Sequence, residues 1–286
     1  MGIALRHLVG AHPHGQRLRK RTRVLRGVKP SRKVELWYKA ELLKIVAALR
    51  RETEAQLLPV LKQIIPALNK TGDGLARDAV VPRRPIDHSL TNLAQKFGGI
   101  DDTANRLASL AAQRSLEETD KRLAASIGES VKVDISAVLT ESGPIRGAVT
   151  SAVRANVDLI KSIPQQYFDK VGSTVWDNLV DGVRFEDLAE KIQHIGDVTE
   201  SRAKLIARDQ TSKMNGAFNE ARQTSLGIDR YIWSTSGDER VREDHAAQNG
   251  QIFDWASPPP TGHPGEDIQC RCVALPYVEL DKEDSS

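Results

Sequence analysis

Trp233-Ser-Thr-Ser-Gly-Asp-Glu-Arg-Val-Arg242, followed by Asp244-His245, Asn249-Gly250, His263-Pro264-Gly265 and Cys270-Arg271-Cys272, gathers both cysteines and two of the seven histidines of this 286-residue chain. The stretch is too rich in glycine and proline to be ordered by periodic packing, so some other constraint must hold it. Arg230-Tyr-Ile-Trp-Ser-Thr235 alternates as a strand does, and Gly237-Asp238 turns it. Gly250-Gln-Ile-Phe253 and Cys272-Val-Ala-Leu-Pro-Tyr-Val278 supply two further strands, with Pro276 suited to an edge. Between them, the loop from Asp254 to Gln269 carries Pro258-Pro-Pro260 and Gly262. Loops of that length without structure of their own are usually functional, mobile or clipped.

Upstream, Asp197 with Glu200 three residues on reads as a capping box and predicts a helix from about Val198 to Gln223, with Ala203, Ile206, Ala207, Met214 and Phe218 as its apolar series. Gly227 is placed to stop it. Phe185 to Ile192 reads as a shorter helix before Gly196. A helix pair therefore leads into a short antiparallel sheet with a long loop. Earlier still, Leu36, Ala40, Leu43 and Ala47 mark one helical face, which Pro59 and Pro66 interrupt. Gly72–Pro85 reads as a loop, and residues 87–127 as two amphipathic helices broken at Gly98-Gly99. Val131 to Ile135 suggests a short strand ended by Gly143-Pro144, and 145–160 and 164–181 read as helices. The fold class is mainly α with a small C-terminal α+β module.

The net charge of +3 conceals an asymmetry. Residues 1–34 hold ten Lys/Arg and no acid, which leaves 31 basic against 38 acidic residues elsewhere. Arg17, Arg19, Lys20, Arg21, Arg23, Arg26, Lys29, Arg32 and Lys33 make a basic arm expected to be flexible alone and to bind polyanion, double-stranded DNA above all. A solubilising tail is the plainer reading. The divisions expected are the arm (1–34), a helical region (35–182), a C-terminal domain (183–280) and an acidic tail (281–286). No run approaches about 18 consecutive apolar residues and no signal-peptide pattern precedes a cleavage-like site, so a soluble protein made in a cytoplasm is expected.

A bond between Cys270 and Cys272 would close a very small ring, which favours free thiols or metal ligation. His245, His263, Cys270 and Cys272 are a donor set suited to a tetrahedral zinc ion, although one residue between the cysteines is closer than usual. Packed apolar thiols and hydrogen-bonded imidazoles are the competing reading. Asp244-His245, Asn249 and His263 also supply the ingredients of an HNH-like, metal-dependent nuclease. Asp238 is expected to cap the Gly237 turn or to pair with Arg240 or Arg242, Asn249-Gly250 to form a turn with positive φ, and Arg271 to pair with Glu266 or Asp267. Trp233 is expected in the core.

The ordered series W-x-T-x-x-D-x-R, N-G, H-P and C-R-C resembles the C-terminal domain of the phage Mu F-like family of minor head, or head-morphogenesis, proteins of tailed bacteriophages. Trp233, Thr235, Asp238, Arg240, Asn249, Gly250, His263, Pro264, Cys270, Arg271 and Cys272 carry the resemblance, with Ile206 to Gln210, Asn215, Arg222 and Gly227-Ile228 before them. The family pattern sets C-x-x-C where this chain reads Arg242-Glu-Asp-His245, so Arg242 replaces one of its ligands. The resemblance implies a non-enzymatic minor capsid component assembled in the bacterial host cytoplasm and lodged inside the virion, with the portal protein, major capsid or scaffold proteins and DNA as partners.

Overall fold

The computed structural model of the chain describes residues 21–69, 83–131, 134–136, 139 and 143–280. The order is β1 (Arg21–Val24), α1 (Arg32–Gln56), α2 (Leu58–Asn69), α3 (Arg83–Gly98), α4 (Asp101–Val131), α5 (Gly143–Val180), α6 (Phe185–Ser225), β2 (Arg230–Ser234), α7 (Glu243–Gln248), β3 (Ile252–Asp254) and β4 (Val273–Leu280). The class is as the sequence predicts, mainly helical with a small α+β module. None of the described helices is long and apolar enough to cross a membrane. The chain divides into two compact units: Trp37–Ala108 with Ala155–Ala207, and Met1–Leu36 with Ser109–Arg154 and Arg208–Ser286.

The first unit is helical. In α1 the buried stripe is Tyr38, Leu42, Ile45, Val46 and Leu49, while Leu36 is exposed. Two stripes overlap in that sequence, and the one with the larger apolar side chains removes more surface from water. Tyr38 donates to Asn156 Oδ1 at 2.8 Å. Pro59 falls in the first turn of α2, where its missing N–H costs nothing, and Pro66 lies inside that helix. The predicted Gly72–Pro85 loop lies mostly outside the described residues, but Arg83, Arg84 and Pro85 open α3. Helices α3 and α4 separate at Gly98-Gly99 as expected.

Besides the interruption expected at Pro66, through which α2 runs, two further expected breaks are absent. α5 runs through Pro164, because Ile160, Ile163, Tyr167, Phe168 and Val171 share a buried stripe and their burial offsets the lost hydrogen bond. Nor does the Asp197/Glu200 pair start a helix, since α6 is continuous over 41 residues. Asp197 and Glu200 instead face Arg50 at 2.9 and 3.7 Å. A Cβ at Gly196 would approach the Arg50 side chain to 3.0 Å.

The second unit contains the four-stranded sheet of the described residues, in the order β1-β4-β2-β3 with every pairing antiparallel. The strands expected at 230–235, 250–253 and 272–278 are β2, β3 and β4. The fourth corrects the flexible-arm expectation, since Arg21–Val24 pairs with Tyr277–Leu280. Leu25 and Val28, at 1% and 3% exposure, then anchor the chain against Leu123, Ile127, Ile135, Leu226, Ile228 and Val278. Charge counting overlooked these two apolar residues, which supply the burial that orders the segment. Because β1 covers β4, Pro276 sits in a central strand and not at an edge. Its carbonyl accepts the Leu25 amide at 2.9 Å, so its missing N–H falls on the β1 side where that strand ends. Of the strand expected over 131–135, Lys132 and Val133 lie outside the described residues, while Val131 closes α4 and Ile135 is a buried residue outside any strand.

Of the basic arm, residues 1–20, with Arg17, Arg19 and Lys20, lie outside the described residues, as does the acidic tail at 281–286. Arg21 and Arg23 belong to β1. Arg26 approaches Glu129 at 3.5 Å with its side chain 80% exposed, and the Lys29 carbonyl accepts from Arg122 at 2.7 Å. Arg32 pairs with Glu35 in the first turn of α1, beside exposed Lys33.

Candidate functional site

The C-terminal part of α6 is a helix with a buried polar stripe. Asp209, Ser212, Asn215, Asn219, Arg222 and Gln223 recur at three- and four-residue spacing and are all 8% exposed or less. Each fixes another segment. Asp209 accepts the Gln269 amide at 2.7 Å, Ser212 donates to the Cys270 carbonyl at 2.6 Å, and Asn215 donates to the Val28 carbonyl at 2.9 Å. Gln223 accepts from the Trp255 indole at 3.2 Å. Arg222 grips Asp120 of α4 at 2.6 and 2.7 Å. This stripe is thus a hydrogen-bonding rail for otherwise irregular backbone. Asp209, Asn215 and Arg222 are among the residues that carry the family resemblance, whereas the stripe they form with Ser212, Asn219 and Gln223 is visible only in the fold.

Gly216 lies in the same helix where the loop crosses closest. A Cβ there would sit 2.8 Å from the Pro264 carbonyl and 3.5 Å from Gly265 Cα, and Gly265 itself has φ of 100°. Gly216→Ala is expected to destabilise by about 1–3 kcal/mol through overpacking, against a gain in helix propensity of roughly 1 kcal/mol. Thermal unfolding of the variant checks this; an unchanged or raised midpoint would contradict it.

β2 turns Tyr231 and Trp233 inward, both fully buried. The Asn249-Gly250 turn forms as predicted. Gly250 has φ of 81° and donates to the Trp233 carbonyl at 2.8 Å, and Asn249 Oδ1 accepts the Thr235 amide at 2.9 Å. Helix α7 then carries His245 into the interior, edge-on to Trp233 with ring centroids 5.2 Å apart. Across the loop, Trp255 packs on Tyr231 at 4.3 Å, and the Tyr231 hydroxyl lies 2.9 Å from His263 Nδ1. Burial, with Glu266 and Glu220 adding to it, pushes the Tyr231 phenol pKa up.

Three of the four expected metal donors converge. His245 Nδ1 lies 3.6 Å from Cys270 Sγ and 3.5 Å from Cys272 Sγ, with all three donor atoms within 4.8 Å of one another. Both cysteines are buried free thiols. The fourth, His263, is not in the group, because it faces Tyr231 while its amide donates to Glu266 at 2.8 Å. A hydrogen bond donated by the Cys272 thiol lowers the Cys270 pKa, and the same bond, together with burial, pushes the Cys272 pKa up. Gln269, just before Cys270, has φ of 56°, a left-handed conformation unusual for a residue with a side chain.

On its other face His245 Nε2 lies 3.1 Å from Asp267 Oδ2, which also accepts from Arg242 at 3.0 Å. Arg242 reaches the Ile268 carbonyl as well, at 2.8 Å. Asp238 pairs with Arg271, at 2.5 and 2.6 Å, and that guanidinium holds the Asp238 pKa down. Asp238 also caps the Gly237 turn as expected, accepting from the Ser236 hydroxyl and the Arg240 amide, but its ion pair corrects the expected partners, which were Arg240 or Arg242 for Asp238 and Glu266 or Asp267 for Arg271. Sequence proximity decided that expectation, whereas the loop brings Asp267 to α7 and Arg271 to the Gly237 turn. A pocket of about 220 Å³ lies beside the cluster, with Arg208, Ser236, Arg240, Arg242, His245 and Cys270 in its lining.

Residues 169–275 match the family model described as Phage Mu protein F like protein. Over 266 residues the chain is 36% identical to an uncharacterised protein of Haemophilus influenzae, in an alignment covering 92% of this chain and 57% of the relative. An uncharacterised protein of Methanocaldococcus jannaschii is 30% identical over 128 residues, 43% of this chain and 19% of that one. The chain therefore spans little more than half the length of the first relative and a fifth of the second. No solved structure matches.

Proposed function

We propose, from the match of residues 169–275 to the Phage Mu protein F like model, that the chain is a head-morphogenesis protein of a tailed bacteriophage, a minor capsid component that acts by binding. The observation that carries this reading is where the match falls. It covers the end of α5, then α6, β2, α7, β3 and the first residues of β4, and so includes Trp233, Asp238, Asn249 and the Cys-Arg-Cys turn. The helices of the first unit offer charged faces for contact with the portal protein and with capsid or scaffold proteins, and the basic N-terminus offers contact with packaged DNA. Assembled heads are the test. The chain is expected inside them, co-purifying with the portal protein; heads of normal yield and composition formed without it would overturn the assignment.

The nuclease reading draws no support from the geometry. Asn249 is engaged by Thr235, His263 by Tyr231, and His245 by Asp267 and the thiols, so the three residues serve separate networks.

DNA contact is tested at Arg17, Arg19 and Lys20 of the basic arm, because Arg21 begins β1 and that strand should be left intact. Replacing those three by Ser is expected to weaken binding to duplex DNA without sequence preference. The slope of log K against log salt should become shallower by about 0.9 for each phosphate that the arm no longer neutralises. Unchanged affinity and slope in a filter-binding series would remove the arm from the interface.

A further inference from the structure

We infer that His245, Cys270 and Cys272 form a three-donor site for a zinc-class divalent ion, and that its fourth position opens on the arginine-lined pocket, where a phosphate-type oxyanion completes the coordination. This goes beyond the closed four-ligand site expected from composition, and it is independent of the role in head assembly.

The spacing fits an ion. Tetrahedral bonds of about 2.3 Å to sulfur and 2.0–2.1 Å to nitrogen put the two donor atoms about 3.6 Å apart. The two nitrogen–sulfur distances here are 3.6 and 3.5 Å. Hydrogen bonding alone serves the group less well. With Nε2–H directed at Asp267, Nδ1 has one lone pair and can accept from one thiol, whereas both sulfurs approach it. A cation engages all three donors at once.

The surroundings are those of a metal ligand set. A carboxylate on the distal nitrogen of a ligating histidine fixes its tautomer and raises its basicity. Asp267 holds that position and is itself held by Arg242. The Cys272 amide donates to Cys270 Sγ at 3.4 Å, as suits a thiolate. Trp233 Nε1 is buried beside the cluster without an oxygen or nitrogen acceptor.

The fourth ligand is argued from what borders the cluster. His263 is committed to Tyr231, and among the described residues no other His, Cys, Asp or Glu joins the donor group. The pocket that reaches His245 and Cys270 carries Arg208, Arg240, Arg242 and Arg271, and no carboxylate lines it. Arg242 and Arg271 are matched by Asp267 and Asp238 just outside. Arg208, half-buried, and Arg240, exposed, leave an excess of positive charge there. A divalent ion with two thiolates and a neutral imidazole adds no net charge. The pocket thus keeps its positive character when loaded, and guanidinium forks suit tetrahedral oxyanions.

The full chain, reduced and loaded with Co2+ in place of zinc, tests both parts. One equivalent is expected to give the visible ligand-field bands and near-ultraviolet thiolate band of tetrahedral cobalt, with affinity at least tenfold lower in Cys272→Ser. Absence of those bands in folded wild-type protein overturns the metal site, and does so without relying on the variant. Adding inorganic phosphate to the loaded protein should shift the bands saturably. Arg208→Gln with Arg240→Gln should keep the cobalt bands and weaken the phosphate response at least tenfold. Bands indifferent to phosphate, or shifted only by a glutamate-rich peptide, overturn the oxyanion assignment while leaving the metal. A shift with a duplex oligonucleotide as well as orthophosphate supports the assignment with DNA phosphodiester as the source, and a shift with orthophosphate alone supports it with free phosphate.

Discussion

Asp120→Ala is expected to lower stability by about 3–5 kcal/mol, the cost of taking a carboxylate and both bonds of its fork away from a buried guanidinium. The Arg222 side chain is only 5% exposed, and its Nε and Nη2 reach the two Asp120 oxygens at 2.6 and 2.7 Å. Both bonds of that fork are lost together, and water has little access to the guanidinium left behind. The effect is directional. Arg222→Met should cost less, because Asp120 keeps 22% of its side-chain surface and can rehydrate. Asp120→Leu combined with Arg222→Met should recover much of the loss, since an apolar pair of similar volume carries no desolvation penalty. Urea unfolding of the four proteins at neutral pH gives the comparison. A loss below about 1 kcal/mol for Asp120→Ala would mean that the pair is solvent-screened, as exposed pairs are.

The same pair shows what could be read from the sequence and what could not. Arg222 belongs to the family pattern, but Asp120 lies in what reads as a plain packing helix, 102 residues away. No local spacing announces such a partner. The strands at β2, β3 and β4 were legible because alternation and turn glycines are local signals, and the cluster of His245, Cys270 and Cys272 was legible because such residues are scarce in this chain. His263 was not separable from them, since only the folded loop decides that its imidazole meets Tyr231. β1 was obscured because its charges outweigh its few apolar residues in any composition window, although Leu25 and Val28 suffice to fix it. The capping box at Asp197 and Glu200 misled for the opposite reason. A local motif was present, but Arg50, 147 residues distant from Asp197, engages both carboxylates within an uninterrupted helix.

Trp233→Ala is expected to cost about 3–5 kcal/mol and to disorder the whole Cys/His module. Its ring is fully buried in a cluster with Tyr231, Trp255, Cys270, Cys272 and Ala274, and it meets His245 edge-on. Truncation would open a cavity against which these rings cannot close, because the β2 backbone is paired on both sides, to β3 and β4. The hydrogen bonds of Trp233 to Gln251 and Gly250 belong to its backbone and would survive, so the loss would report packing and not the turn. Ile252→Ala on neighbouring β3 is the control: that side chain is 47% exposed and should change stability by less than about 0.5 kcal/mol. Trp233→Phe should fall between, since it retains a ring but loses the indole N–H near Cys272. Solvent unfolding of the variants, with free-thiol reactivity followed at zero denaturant, separates the effects. Rapid labelling of Cys270 and Cys272 is expected in Trp233→Ala and protection in Ile252→Ala. If the thiols stay protected in both, the α6 rail, through Ser212 and Asp209, holds the Cys-Arg-Cys turn without the aromatic core.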